Sequence, residues 1–314
     1  AYLRSRMGDT SPTGIARMAA VAESDLASVR ALDRSGLDPA TLTSLDVIES
    51  AYATALEGFA LPYGDVAVGG WRNTPYVVIQ NTGAYLDVPR FLDSDHPVKT
   101  KEDAEAYLAR LGQFPAILDG ELERMRSATA LGVIAPAFLL DKAIPQMEST
   151  LADARKGGGL VASLTGRTKN IPGEWEAQAS AIVTQSVAPA LERQLAELRN
   201  QRSRAIADAG MWARPQGDAW YRWALKAGTT TTLSPDEIHE MGKSQLAEIH
   251  GRMDPILRKI GYTSGSVGER MIALNKDPRF KFADGDPGRA EIMAFIQQRI
   301  AWIKAQMPRA FRTL

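Results

Sequence analysis

The sequence predicts an all-α protein, an elongated multi-helix bundle interrupted by one long irregular, partly strand-like loop segment. Apolar residues recur at three- and four-residue steps along most of the chain. Several of these stripes open on side chains able to satisfy free helix amides. Glycine, proline and asparagine, which break helices, concentrate between residues 61 and 97. With 314 residues, of which 45% are hydrophobic and 24% charged, the chain can bury about three quarters of its unfolded surface and needs no staples.

The spacing predicts helices over residues 14–34 and 39–59, and then over 101–111, 115–131 and 136–155. Residues 61–97 read LPYGDVAVGGWRNTPYVVIQNTGAYLDVPRFLDSDHP. Within them Tyr76-Val77-Val78-Ile79 is the one strand-like run, because β-branched and aromatic residues suit a pleated surface. A long helix is expected over 174–209, carrying the stripe Val187, Leu191, Leu195 and Leu198, with Pro189 as its kink. Ser234-Pro235-Asp236-Glu237 marks a helix start. Ser234 caps, Pro235 sits where its missing donor is harmless, and Glu237 completes a capping box. Ser266 with Glu269 repeats the signature, and Asp286-Pro287 opens a last helix with the stripe Ile292, Phe295, Ile296, Ile300, Ile303 and Met307. Gly157-Gly158-Gly159 is the most linker-like point, yet apolar helices flank it closely. Residues 1–314 are therefore expected to form one helical domain with a hinge at 156–159. No internal repeat is present.

Lys and Arg together number 37, as do Asp and Glu, so net charge gives no long-range pull toward nucleic acid or anionic lipid. No apolar run of about 18 residues spans a membrane, and no leader is visible at Ala1. The absence of cysteine removes disulfides, thiolate metal ligands and thiol nucleophiles, and fits a reducing or an oxidising compartment equally.

The three histidines leave few chemical options. His239-Glu240 begins a His-Glu-x-x-His zinc signature, but Lys243 stands where the second histidine belongs. His250 shares a face with His239, yet eleven helical residues separate them by about 16 Å, too far for one zinc ion. His96, in Asp93-Ser94-Asp95-His96-Pro97, reads either as an isolated metal contact or as part of a turn before Thr100 caps the next helix. Thr229 to Thr232 could hydrogen-bond a substrate backbone or form a self-satisfied connector. Glu237 and Glu240, with Asp236 beside them, could be drawn as a carboxylate pair, although capping and the helix dipole already explain acidic residues there. No G-x-S-x-G elbow or phosphate-binding glycine loop exists, and Gly64, Gly69 and Gly70 are too irregularly spaced to cradle phosphate. Trp71, Arg72, Tyr76 and Tyr85 can either line a groove for a peptide-like ligand or anchor the loop to the helices beneath.

GGWRNTPYVVIQNTGAYLDVPRFLDSDHP together with AWYRWALKAGTTTTLSPDEIHEMG resembles the amino-terminal half of the bacterial domain-of-unknown-function 885 family, whose members are often exported and are placed near zinc metallopeptidases of the gluzincin kind. The resemblance runs from the region of Leu37 to Leu314. It implies a helical scaffold and a groove-lining, substrate-binding role for Arg72, Asn73, Tyr76, Asn81 and Tyr85. It implies no catalytic residue or metal ligand here, because the family's His-Glu-x-x-x-Gly-His-His type of motif lies in a carboxy-terminal half that this sequence stops before. By the same resemblance, zinc belongs to the full-length protein, the partners are that downstream catalytic half and a peptide-like substrate, and the location is the periplasm or cell envelope. The expected function is the scaffold and cleft portion of a zinc metallopeptidase-like hydrolase. The alternative is a non-enzymatic helical binding or scaffold protein that uses residues 61–97 as its contact surface.

Overall fold

The computed structural model describes residues 2–70 and 72–311, apart from the side chain of Tyr2. Two compact units emerge, Ala1–Leu233 and Ser234–Leu314. Among the described residues the regular elements are all helical, with no strand beyond isolated bridges.

The first unit begins with α1 (Pro12–Arg30) and α2 (Pro39–Phe59), which pack side by side. Ser11 and Asp38 cap them, each followed by a proline in the first turn. After the loop come α3 (Ala84–Arg90), α4 (Lys101–Leu111) and α5 (Phe114–Ala130). Then follow α6 (Ala137–Ala154), α7 (Gly158–Arg167), α8 (Trp175–Ile182), α9 (Ala188–Arg204) and α10 (Gly217–Thr229). Helix α9 packs against both α5 and α6, and α7 against α8. The core they enclose includes Leu92, Tyr107, Phe114, Leu118, Met147 and Leu191, all virtually without solvent exposure. The stripe Val187, Leu191, Leu195 and Leu198 lies buried as its spacing requires. At about 1.5–3 kcal/mol for each fully buried large aliphatic side chain, it is a principal source of the packing that holds α9 in place.

Three local features depart from the sequence expectation. The helix over 174–209 is α8 and α9 joined by a π-helical turn, Val183–Val187, and α9 ends at Arg204. Pro189 lies just inside α9, so the wider turn before it accommodates a ring that would otherwise press on the carbonyl four residues back. Residues 84–95, expected to be irregular, form α3 and a second π-helical turn, Phe91–Asp95. The run Tyr76 to Ile79 makes no ladder. Val77 and Val78 are buried as core residues, and Ile79 pairs only with Thr82 across a tight turn, because no neighbouring strand offers partners.

Between α5 and α9 runs a buried polar row. Gln194 Nε2 donates to the Leu118 carbonyl at 2.8 Å and to Glu121 Oε2 at 3.0 Å. About two turns further along, Gln201 Nε2 donates to Thr129 Oγ1, which lies 2.9 Å from Glu197 Oε1.

The second unit holds α11 (Pro235–Lys259), α12 (Val267–Lys276) and α13 (Asp286–Gln306). Both predicted capping boxes are made: Ser234 with Glu237, and Ser266 with Glu269. Buried Arg270 of α12 donates to Asp254 of α11 at 2.6 Å and to the Tyr262 carbonyl, which fixes the α11–α12 turn. The predicted α13 stripe is present, but apart from half-buried Ile292 and Met307 it is exposed. Ile296, Ile300 and Ile303 are 43%, 46% and 51% exposed, and Phe295 and Trp302 beside them are also exposed.

Candidate functional site

The loop after α2 is folded by side chains that reach it from distant helices. Asp65 and Thr74 exchange backbone hydrogen bonds of 2.7 and 3.1 Å, which closes the turn between them. Arg124 of α5 binds the base of that turn through the Gly64 carbonyl and the Asp65 carboxylate. Inside it, Asn73 Oδ1 accepts from the Ala67 amide at 2.9 Å. Trp71 lies outside the described residues.

This turn, α2 and α10 border an open cleft of about 450 Å³, within the size range of small-ligand sites. Val47, Ala51, Ala55 and Trp223 give its lining apolar surface, while Thr43, Ser50, Thr54, Asn73 and Thr230 bring hydroxyls and an amide. The two charged side chains on the lining are already paired, Asp46 with Arg34 and Lys226 with Glu57. A cleft whose charged side chains are paired, with apolar and hydrogen-bonding groups along its lining, suits a neutral, extended ligand better than a phosphate or a nucleic acid.

Trp223 is held by one hydrogen bond, from its indole N–H to the Thr54 carbonyl at 2.8 Å, and by edge contact with Trp220. Gly58, in the last turn of α2, makes room for the ring. A Cβ there would lie 2.2 Å from Trp223 Cζ2. Gly58→Ala is therefore expected to push the indole into the cleft and to cost about 1–3 kcal/mol, read as a lowered urea midpoint with quenched or shifted tryptophan emission. An unchanged midpoint would contradict this packing.

The five residues singled out from the resemblance do not converge. Asn73 lines the cleft. Arg72 binds both oxygens of Asp87 at 3.0 and 3.1 Å, joining the turn to α3. The Tyr76 hydroxyl accepts from Nε of buried Arg214 at 3.1 Å, and burial pushes its pKa up. Asn81 stands exposed at the tip of the turn closed by Ile79 and Thr82. Tyr85 is 1% exposed, donates to the Ile79 carbonyl at 2.9 Å, and is pushed up to about 12 by burial. Sequence reasoning missed the α2 and α10 contributions. Ser50 and Thr54, one helical turn apart on α2 among Val47 and Ala51, were the available signal, and Thr230 belongs to the threonine cluster already noted.

Glu121 and His96 are buried titratable groups close to the loop. Glu121 accepts from the Ala84 amide at 2.8 Å, which caps α3 from a different helix, and burial pushes its carboxyl up to about 7. Arg110 donates to His96 Nδ1 at 2.7 Å, so Nε2 carries the proton and donates to the Asp103 carbonyl at 3.0 Å. Burial lowers the His96 pKa and keeps the ring neutral; with both nitrogens occupied, it has no lone pair for a metal. His239 and His250 are exposed on α11, and Lys243 pairs with Glu240 at 2.9 Å. Among the described residues no group of three or more His, Asp or Glu could hold a metal ion.

A family model described as "Bacterial protein of unknown function (DUF885)" matches residues 2–314. The chain is also similar to a solved structure described as "the putative lipoprotein from Colwellia psychrerythraea". The TM-score is 0.89 and the identity 28%, over 99% of this chain and 54% of that one. The chain thus spans about half the length of that relative. No curated protein matches it.

Proposed function

The chain belongs to the DUF885 family of bacterial proteins, and from that premise we propose that it is the scaffold and substrate-cleft portion of a zinc metallopeptidase-like hydrolase. In this reading the metal ligands and the general base come from polypeptide beyond these residues. One observation supports the dependence on further polypeptide: the apolar surface of the second unit is extensive. Met293, Phe295, Ile296, Ile300, Trp302 and Ile303 are all exposed on α13, and they occupy about half of its circumference at 100° per residue. A helix apolar over that arc belongs inside a core. Met241, Leu246, Ile249 and Ile256 repeat the pattern on α11. The length of the solved relative supports further polypeptide as the cover.

The part of this chain in such a hydrolase is recognition. The cleft along α2 and α10 would hold a peptide-like substrate by its backbone amides and small apolar side chains, with Asn73 and Thr230 as hydrogen-bonding partners. A cell-envelope location belongs to the same reading; its support is the description of the relative as a lipoprotein. No helix among the described residues is long and apolar enough to cross a membrane.

The test compares residues 1–314 with a chain extended to the length of the relative. Zinc content and hydrolysis of a mixed peptide library are measured for both. The expected result is stoichiometric zinc and cleavage in the extended protein only. An extended protein that folds but neither holds zinc nor cleaves peptides overturns the proposal in favour of a binding or scaffold role, and turnover by residues 1–314 alone overturns the division of labour.

A further inference from the structure

Among the described residues, the two non-glycine residues with left-handed backbone are Gln216 and Thr230, and they stand at the two ends of α10. Thr230 is the more strained. Its φ of 54° brings a β-branched side chain into a region that glycine or asparagine ordinarily fills. The chain turns there because the Thr230 amide closes α10, donating to the Lys226 carbonyl at 2.8 Å. A glycine is close by but misplaced for this purpose: Gly228 lies in the last turn of the helix, where it weakens helical order, while the threonine holds the position that suits glycine. Strain kept where a less strained residue would serve points to a use for the side chain.

Thr230 lines the α2–α10 cleft, as does Asn73 from the turn. Local hydrogen bonds give the two side chains opposite polarities. The Thr230 hydroxyl donates to the Thr229 carbonyl at 2.7 Å, so its hydrogen is engaged and Oγ1 is left as an acceptor. Asn73 Oδ1 accepts from the Ala67 amide at 2.9 Å, so Nδ2, which has no partner among the described residues, is left as a donor. An acceptor and a donor on one lining complement the N–H and C=O groups of an extended peptide backbone. An ester linkage offers only the second of these.

We propose that Thr230 is a specificity-determining residue of this cleft: its Oγ1 accepts a backbone N–H of the bound peptide, Asn73 Nδ2 donates to a backbone carbonyl, and the left-handed backbone at Thr230 holds the acceptor in place. The inference rests on the recognition role proposed for the cleft, and adds that the ligand is read as an amide. A depsipeptide, with an ester oxygen where the N–H should be, sets lone pair against lone pair at Oγ1 and binds less well.

NMR titration of the whole 1–314 chain with acetyl-tetra-alanine amide, and with analogues in which lactate replaces each alanine in turn, tests it. Lactate at one position is expected to weaken binding about fivefold, the usual contribution of one hydrogen bond open to solvent. Thr230→Gly should raise the urea midpoint by releasing the strain, yet bind the parent peptide about fivefold more weakly and no longer distinguish it from that analogue. Thr230→Ser keeps the hydroxyl and should keep the discrimination. A purely structural Thr230 would change the midpoint alone. Lactate tolerated at every position, discrimination retained in Thr230→Gly, or a midpoint lowered by that substitution overturns the proposal and leaves the cleft a peptide site. No saturable binding of the parent peptide overturns the recognition role itself, and this inference with it.

Discussion

Glu121→Gln is expected to stabilise the protein above pH 7 by about 3 kcal/mol and to leave it nearly unchanged at pH 4. The carboxyl is buried between α5 and α9, where loss of solvent raises its pKa from 4.5 to about 7. At about 1.36 kcal/mol per pH unit, that is the free energy involved. The sign follows from proton counting. Between pH 4.5 and 7 the folded state keeps a proton that the unfolded chain releases, so stability falls as pH rises through this window and stays at the lower level above it. Glutamine is uncharged at every pH and can still accept from the Ala84 amide. Its new N–H group finds an acceptor in Gln194 Oε1, which is buried and without a partner, once that amide turns over, and the loss of the Gln194 Nε2 bond to the Leu118 carbonyl offsets part of the gain. Urea midpoints of both proteins at pH 4, 6 and 8 measure the difference, and parallel profiles would show that Glu121 does not hold the proton.

This site also shows what the sequence could and could not reveal. Capping at Ser234, Ser266 and Thr100 was legible because each box lies within four residues and depends only on local geometry. The buried stripe of α9 was legible because periodicity needs no knowledge of the partner. The loop was not. Its shape is set by Arg124 on Asp65, Arg214 on Tyr76 and Glu121 on Ala84, contacts spanning 37 to 138 residues that no local pattern encodes. For the same reason the candidate cleft was only partly visible: Asn73 came only from the family resemblance, and Ser50 and Thr54 were hidden in a helix whose spacing resembled any other. Periodicity also found the stripe of α13 but could not say that most of it would stay exposed among the described residues.

The second large effect concerns that stripe. Ile296→Asp with Ile300→Asp is expected to change the stability of residues 1–314 by less than about 0.5 kcal/mol, since both side chains already face solvent. In a chain extended to the length of the solved relative, the same pair should cost about 3–5 kcal/mol by burying unpaired charge. Urea unfolding of both lengths, followed by far-ultraviolet dichroism, gives the comparison. Equal effects in the two lengths would mean that α13 is not enclosed, and the proposed docking of further polypeptide would fail with it.

The polar row between α5 and α9 governs alignment as well as acidity. If α9 slid one turn along α5, about 5.4 Å, Ala190 or Leu198 would arrive opposite Glu121 in place of Gln194, and the carboxyl would lose its amide donor. Two rods lined with leucine could mate at several offsets with similar burial. The glutamine works as a key cut for a single notch, so the chain can reject a near-native misalignment that hydrophobic contact alone would tolerate.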